Sequence, residues 1–377
     1  MDDMAEAPPD RSAPGTATIR AYAPGRVNLI GEHTDYNEGF ALPIALQLGT
    51  TVSFVPDPAT DSITASSDLE SHSVRIPLNT APGGVTGWGA YVAGCVWALR
   101  ERGTDVPGGR MSISSDLPVG AGLSSSAALE CAVLRALTAA AATNPDRRTL
   151  ALLAQRAEND YVGAPTGLLD QLSSLFGEVD TALLLDFRSL QVTPVPVDLG
   201  TTSLLVIDSR APHRNVAGEY RSRRLACEEA ARHLSAHSLR YIHDDGWREL
   251  RDDVLRRRAR HVLTENRRVH DAAAALRAGD LPGLGRLMDA SHASMRDDFE
   301  ITTEGIDLIA ETARKSGAFG ARMTGGGFGG SVVVLAPAEA AQRIRTALPD
   351  RVEQSGLPRP TVTPVRPGGG AGLQMAR

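Results

Sequence analysis

One stretch constrains this chain more than any other: "GGRMSISSDLPVGAGLSSSAALECAVLRALTAAAA" reads as a strand, a glycine turn and a helix beginning near Ser124. That order recurs in phosphate sites. Across Gly120, Ala121, Gly122, Leu123, Ser124 and Ser125, mostly small side chains let backbone N–H groups come close to a ligand. The helix that follows points its unpaired first-turn N–H groups and the positive end of its dipole at the same place, so an anion fits there. The plain alternative is a tight turn capped by serine. One cap needs one hydroxyl, whereas Ser124, Ser125 and Ser126 stand in succession.

Two familiar ways of holding phosphate are excluded. A Walker A loop ends in Gly-Lys-Ser/Thr, and the only lysine of the chain, Lys315, follows an arginine in "ARKSG". The strand lysine of a protein kinase is missing for the same reason. If the glycine loop holds nucleotide phosphates, backbone and serine do it, with Mg²⁺ supplying positive charge and nearby carboxylates holding the ion. Glu158, late on one helix, and Asp170, in the first turn of the next, flank the corner "YVGAPTG", which can fold both back toward the loop. One carboxylate suits Mg²⁺ and the other suits the proton of an attacking hydroxyl, the division of labour that phosphoryl transfer needs. Taken singly, each also has a plain reading: Asp170 as an acid favoured at a helix N-terminus, Glu158 as part of a solvated helix face.

At 377 residues the chain exceeds the usual size of one hydrophobic core. We expect a disordered tail over residues 1–17, a first domain over 18–200 and a second over 201–377, the boundary falling where "TSLLVIDSR" opens a new strand. In the first domain "ATIRAYAPGRVNLIG" reads as a strand entering a turn at Pro24 and Gly25, and Thr166 is placed to cap the helix "GLLDQLSSLFG". In the second, "GAFGARMTGGGFGGSVVVLAP" reads as two strands around a glycine hairpin. A formal net charge of −6 argues against nucleic-acid and membrane-surface partners, which need a basic field. Three cysteines, odd in number and far apart, suit free thiols in a reducing cytoplasm. No secretion signal and no membrane-spanning apolar stretch is present. Trp88, at helical spacing from Tyr91, suits a core. His72, His233, His237, His243, His261 and His270 read as surface or satisfied core residues, and His213 and His292 as structural.

Three segments, "GRVNLIGEHTDY", "LPVGAGLSSSAALE" and "GARMTGGGFGG", resemble the signature motifs of the GHMP small-molecule kinases, the first of them that of the galactokinases. The similarity runs from about Ala21 to Ala336 through "TGLLDQ", "GEYRSRR", "HVLTEN" and "SHASMRDDFE". It implies an α+β fold of two domains, the first with a left-handed β-α-β unit, the second ferredoxin-like, and a site in the cleft between them. It implies ATP-dependent phosphorylation of the anomeric hydroxyl of α-D-galactose in the Leloir pathway, by a monomer without an obligate protein partner. Glu32, His33, Asp35, Gly167 and Tyr220 match sugar-binding positions. Asp170 matches the proposed catalytic base, with Arg26 beside it; Ser126 and Glu158 match the Mg²⁺ ligands; Gly120 to Ser125 match the backbone around the ATP phosphates, and Trp88 an adenine-side aromatic. "TGGGFGG" is expected to pack beside the phosphate loop. The corner "APTGLLDQ" and Glu38 depart from many relatives, which bears on fine sugar preference. A kinase for N-acetylgalactosamine or arabinose is the near alternative. A catalytically silent sugar sensor is the alternative of another class, and the unbroken set Arg26, Ser126, Glu158 and Asp170 speaks against it.

Overall fold

The structure, a computed structural model, describes residues 17–118, 120–211, 216–243 and 245–374. Most of the expected tail and His213 lie outside the described residues. In chain order the first half contains β1 (Ile19–Asn28), β2 (Phe40–Ala41), β3 (Pro43–Pro56), β4 (Ser62–Ser67), β5 (Val74–Pro77), α1 (Gly89–Glu101) and β6 (Gly109–Ser115). There follow α2 (Ser125–Ala140), α3 (Arg147–Arg156), α4 (Leu169–Phe176), β7 (Thr181–Asp186) and β8 (Gln191–Pro196). The second half contains β9 (Thr202–Asp208), α5 (Val216–His233), α6 (Asp253–Arg277), α7 (Leu281–Ser294) and α8 (Glu304–Lys315). It ends with β10 (Gly320–Thr324), β11 (Ser331–Pro337), α9 (Ala338–Gln354), β12 (Thr361–Val365) and β13 (Gly372–Gln374).

Alternation of apolar and polar residues sends one face of each long strand inward. In β3, Val52 and Phe54 are fully buried, and they meet Val96 and Leu99 of α1 and Leu134 and Leu137 of α2 in one core. The first sheet has the order β13-β1-β3-β6-β4-β5, and its single parallel pair, β4 with β6, is joined through α1 as a β-α-β unit. The second sheet, β10-β11-β9-β12, is antiparallel throughout. With a helical crossover before β10 and α9 before β12, it has the β-α-β-β-α-β connectivity of a ferredoxin-like domain. The run "VVVLA" in β11 is apolar without a break because both faces are covered. Val332 and Val334 face α8 and α9, while Val333 and Leu335 join Ile30, Val269 and Met288 in a core that binds the two halves together.

Three expectations are corrected. Pro24 and Gly25 do not turn the chain: β1 continues to Asn28, with a register shift against β3 between Pro24 and Arg26. A bulge accommodates the proline, which has no N–H for the ladder, and swings Gly25 so close to the glycine loop that a Cβ there would sit 2.5 Å from Leu123 O. Thr166 does not cap α4, which begins at Leu169 without a side-chain cap; its hydroxyl donates to Glu158 Oε2 at 3.0 Å instead. The chain end does not stay with the second half. Gly372 pairs with Tyr22, so β13 completes the first sheet and covers the edge of β1. No helix among the described residues is long and apolar enough to cross a membrane.

Candidate active site

Between β1 and β2 the chain makes a tight loop whose neck is closed by Thr34 Oγ1, 2.9 Å from Gly31 O and 2.6 Å from Phe40 O. This loop, the corner before α4 and the first turns of α5 surround a cavity of about 360 Å³. Arg26, Glu32, His33 and Asp35 line it from one side, Gly167 and Asp170 from another, and Tyr220 and the backbone of Gly325 and Gly326 close it. Residues up to 300 positions apart, Arg26 and Gly326, thus face one space.

The guanidinium of Arg26 is the hinge of the site. Its Nη2 lies 2.8 Å from Asp170 Oδ1, and its Nη1 donates to Gly122 O at 2.7 Å. Asp170 stands in the first turn of α4, where the helix dipole also favours a negative charge. Asp35 faces the same cavity. Burial, with the charge of Asp170 acting the same way, pushes its carboxyl up to about 6. A Cβ on Gly167 would fall on the Asp35 carboxylate, so only glycine lets the corner come this close to it.

Two of the expected sugar residues arrive with partners. Glu32 is 2% exposed; its Oε2 accepts from Asn28 Nδ2 at 2.9 Å and from Arg322, and its Oε1 from Gly325 N at 3.0 Å and Thr324 Oγ1 at 3.3 Å. Burial pushes this carboxyl up against the pull of Arg322. His33, at φ 59°, has Nε2 3.0 Å from Gly326 O and Nδ1 2.7 Å from the Tyr36 hydroxyl. A carbonyl only accepts, so Nε2 carries the proton and Tyr36 donates to Nδ1. Burial agrees, holding the imidazole down to about 3. His261, expected as a satisfied core residue, is one: its ring nitrogens meet Ser294 Oγ at 2.9 Å and Glu32 O at 3.2 Å.

The glycine loop has its carbonyls turned away from the helix end. Ala121 O accepts from Ser331 Oγ at 2.6 Å, Gly122 O from Arg26 Nη1, and Leu123 O from Arg26 N at 3.1 Å. Three consecutive carbonyls are thus tied back, while Ala121 N donates to Pro118 O at 3.5 Å. Serine capping, the plain alternative, is not realised: Ser124 is at φ 59°, and its buried Oγ has no partner among the described residues. A second cavity of about 250 Å³ adjoins this loop, lined by Ser125 and Ser126 of α2, Trp88 just before α1, Tyr91 of α1, and Leu69. Trp88 is half-buried, lining this cavity while packing against the first core.

Behind the loop stand carboxylates. Glu158 lies on a π-helical turn, Ala157–Val162, that extends α3, and Gln171 Nε2 donates to its Oε2 at 2.9 Å. Burial and then the charge of Asp170 push its carboxyl up to about 7. Several buried acceptors here have no donor among the described residues, namely both oxygens of Glu130 and Gln171 Oε1. Among the described residues no three carboxylates, histidines or cysteines form a ready cage for a metal. A serine and a carboxylate beside a phosphate loop nevertheless fit Mg²⁺, which takes one or two carboxylates and completes its shell with phosphate and water.

Sequence reasoning missed Arg322 and Glu265. Arg322, fully buried on β10, donates through Nη1 to Asn28 O at 3.0 Å and holds Glu32 through Nη2; Glu265 of α6 accepts from Gly31 N at 2.9 Å. The available signal was an arginine inside the apolar strand "GARMT". Gly325 and Gly326 were expected beside the phosphate loop. Gly325 does come near Gly122 O, and both glycines also line the first cavity.

Comparison with known proteins follows the same lines. Residues 90–178 match the GHMP kinases N terminal domain, 272–354 the GHMP kinases C terminal domain, and 11–56 the galactokinase galactose-binding signature. The chain is 57% identical over 351 residues to a galactokinase of Mycobacterium bovis, covering 92% of this chain and 96% of the other. It is 44% identical over 358 residues to a galactokinase of Streptomyces coelicolor, covering 93% and 92%. Among solved structures, a Lactococcus lactis galactokinase complexed with galactose superposes with a TM-score of 0.90 at 33% identity, over 95% of each chain. A mevalonate kinase, at 18% identity and a TM-score of 0.65 over 93% of this chain and 98% of the other, shares the fold.

Proposed function

Because the chain belongs to the galactokinases, a branch of the GHMP kinases, we infer that its cleft transfers the terminal phosphoryl group of ATP to the anomeric hydroxyl of α-D-galactose, giving galactose 1-phosphate and ADP. The observation that carries this reading is the bridge made by Arg26, which holds Asp170 with one amino nitrogen and the glycine loop with the other. Acceptor and donor sites share one rigid cation.

In this reading the sugar lies in the cavity of Glu32, His33, Asp35, Gly167 and Tyr220. Asp35 and the Gly167 backbone offer acceptors and a donor at fixed spacing, which is what distinguishes hydroxyl configurations. Glu32 and His33 exchange Thr324 Oγ1 and the Tyr36 hydroxyl for sugar hydroxyls, or hold the wall that does the contacting. Asp170 accepts the proton of the attacking hydroxyl. Arg26 pairs with that carboxylate and stabilises charge that grows during transfer. A loose transition state asks little of a base early in the transfer. Amides of Gly120 to Ser125 receive the phosphates, and Trp88 with its cavity receives the adenine. Ser126 and Glu158 would hold Mg²⁺, which when bound neutralises phosphate charge that no lysine is present to meet. We further propose that the enzyme acts as a monomer in a reducing cytoplasm, which its three buried free cysteines suit.

The test is ADP release from ATP and Mg²⁺ across a panel of sugars, with the product read by phosphorus NMR. Galactose should drive turnover, and the product phosphorus should couple to the anomeric proton. ADP release indifferent to galactose, or a phosphate on another carbon, overturns the reading.

A further inference from the structure

Among the described residues, Glu130 is the carboxylate whose two oxygens are both buried without a partner. It lies on α2 four residues after Ser126, hence on the same helix face one turn deeper, and it is fully buried. Neither carboxylate oxygen has a hydrogen-bond partner among the described residues. A buried carboxyl left so is costly, and native proteins keep such a group when something absent from the bare chain completes it. No arginine or lysine pairs with it in the ion pairs of the described residues. The side-chain hydrogen bond that residue 130 receives from Cys95 Sγ, at 3.7 Å, goes to its backbone carbonyl and not to its carboxylate.

What surrounds Glu130 is acceptor-rich. Glu158 and Asp170 are close enough for their charges to act on it. Gln171, whose amide nitrogen is spent on Glu158, leaves its own Oε1 buried and unpartnered. What the Glu130 carboxylate and Gln171 Oε1 lack, among the described residues, is donors. A hydrated divalent cation brings them, because Mg²⁺ gives up its waters reluctantly and each bound water is a strong, polarised donor.

We propose that Glu130 is an outer-sphere ligand of the metal: it accepts hydrogen bonds from water bound to Mg²⁺ at Ser126 and Glu158, and so orients that water shell behind the phosphate loop. The proposal rests on the reading of Ser126 and Glu158 as the direct ligands. Glu130 is then a positioning residue, acting on the nucleotide only through the ion and its water.

The experiment measures Mn²⁺ binding to the full chain in the presence of AMP-PNP, from the electron paramagnetic resonance of free Mn²⁺, for wild type, Glu130→Gln and Glu158→Gln. Outer-sphere partners typically contribute 10–100-fold in metal affinity, so Glu130→Gln should weaken Mn²⁺ binding about tenfold while galactose affinity, read by titration calorimetry, stays that of wild type. Glu158→Gln should weaken it more. If only Glu130→Gln binds Mn²⁺ like wild type, the outer-sphere role is wrong and the direct ligands stand; if both variants do, the metal site itself is wrong and the proposal falls with it. Should Glu130→Gln fail to fold, a wild-type crystal grown with Mg²⁺ and AMP-PNP decides: a metal-bound water within hydrogen-bond distance of Glu130 supports the proposal, and its absence overturns it.

Discussion

Arg26 holds Asp170 Oδ1 at 2.8 Å with Nη2 and Gly122 O at 2.7 Å with Nη1, so one buried guanidinium fixes a carboxylate and the glycine loop relative to each other. Removing it costs charge stabilisation and alignment together. Arg26→Ala should lower kcat by roughly 10²–10³. Arg26→Lys should recover only part of this, because an ammonium cannot span both acceptors in a planar fork. Steady-state ADP release at saturating galactose and ATP checks both.

Gly167 touches Asp35 where a Cβ would go. Gly167→Ala should displace that carboxylate and raise KM for galactose about tenfold, the loss expected for one misplaced polar contact. KM for ATP should stay within twofold, since Asp35 lies on the sugar side. Equal rises in both constants would mean general damage to the cleft.

Asp35 also governs a pH effect. Its carboxyl is pushed up to about 6 in the folded chain, from the 3.8 of an unperturbed aspartate. A raised acid contributes stability that is complete below pH 4 and lost as pH climbs through 6. At pH 8 the ionised, partly buried group is therefore a liability. Asp35→Asn should be more stable than wild type there by about 2 kcal/mol, after allowing for screening in an open cavity, and the advantage should shrink toward pH 4. Urea unfolding at the two pH values measures it, and galactose binding should weaken in the same variant.

Ser124 separates two explanations of the glycine loop. If its hydroxyl capped α2, Ser124→Ala would cost about 1 kcal/mol. Its Oγ has no partner among the described residues, so the variant should unfold within 0.5 kcal/mol of wild type yet show a raised KM for ATP.

Arg322 and Glu32 form a fully desolvated pair. Arg322→Met leaves Glu32 buried without its cation and should destabilise the chain by about 3–5 kcal/mol. Adding Glu32→Gln should recover part of that loss. Thermal melts of the single and double variants check the coupling.

Much of the site was legible along the chain because its parts are local. The amide-rich turn, its serines and the start of α2 are contiguous, and the corner from Glu158 to Asp170 spans one helix end and the next helix start. Hydrophobic period placed the long helices and the β10–β11 hairpin, and the missing lysine excluded the competing phosphate sites. Local rules misled where a residue had a better partner elsewhere. Thr166 looked like a cap and instead serves Glu158, and Pro24 looked like a turn where a bulge sets β1 against the glycine loop.

The amino-acid order by itself determined where most strands, turns and helices form, and that no Gly-Lys-Ser/Thr loop is present, since propensity, period and side-chain chemistry act over a few residues. Only the tertiary structure decided that Arg26 lies between Asp170 and Gly122, that Arg322 neutralises Glu32 from 290 positions away, that β13 returns to the first sheet, and that the Glu130 carboxylate is buried without a partner among the described residues. Those are outcomes of packing two halves around a shared core. Burial and pairing depend on distance in space, which no local pattern of residues encodes.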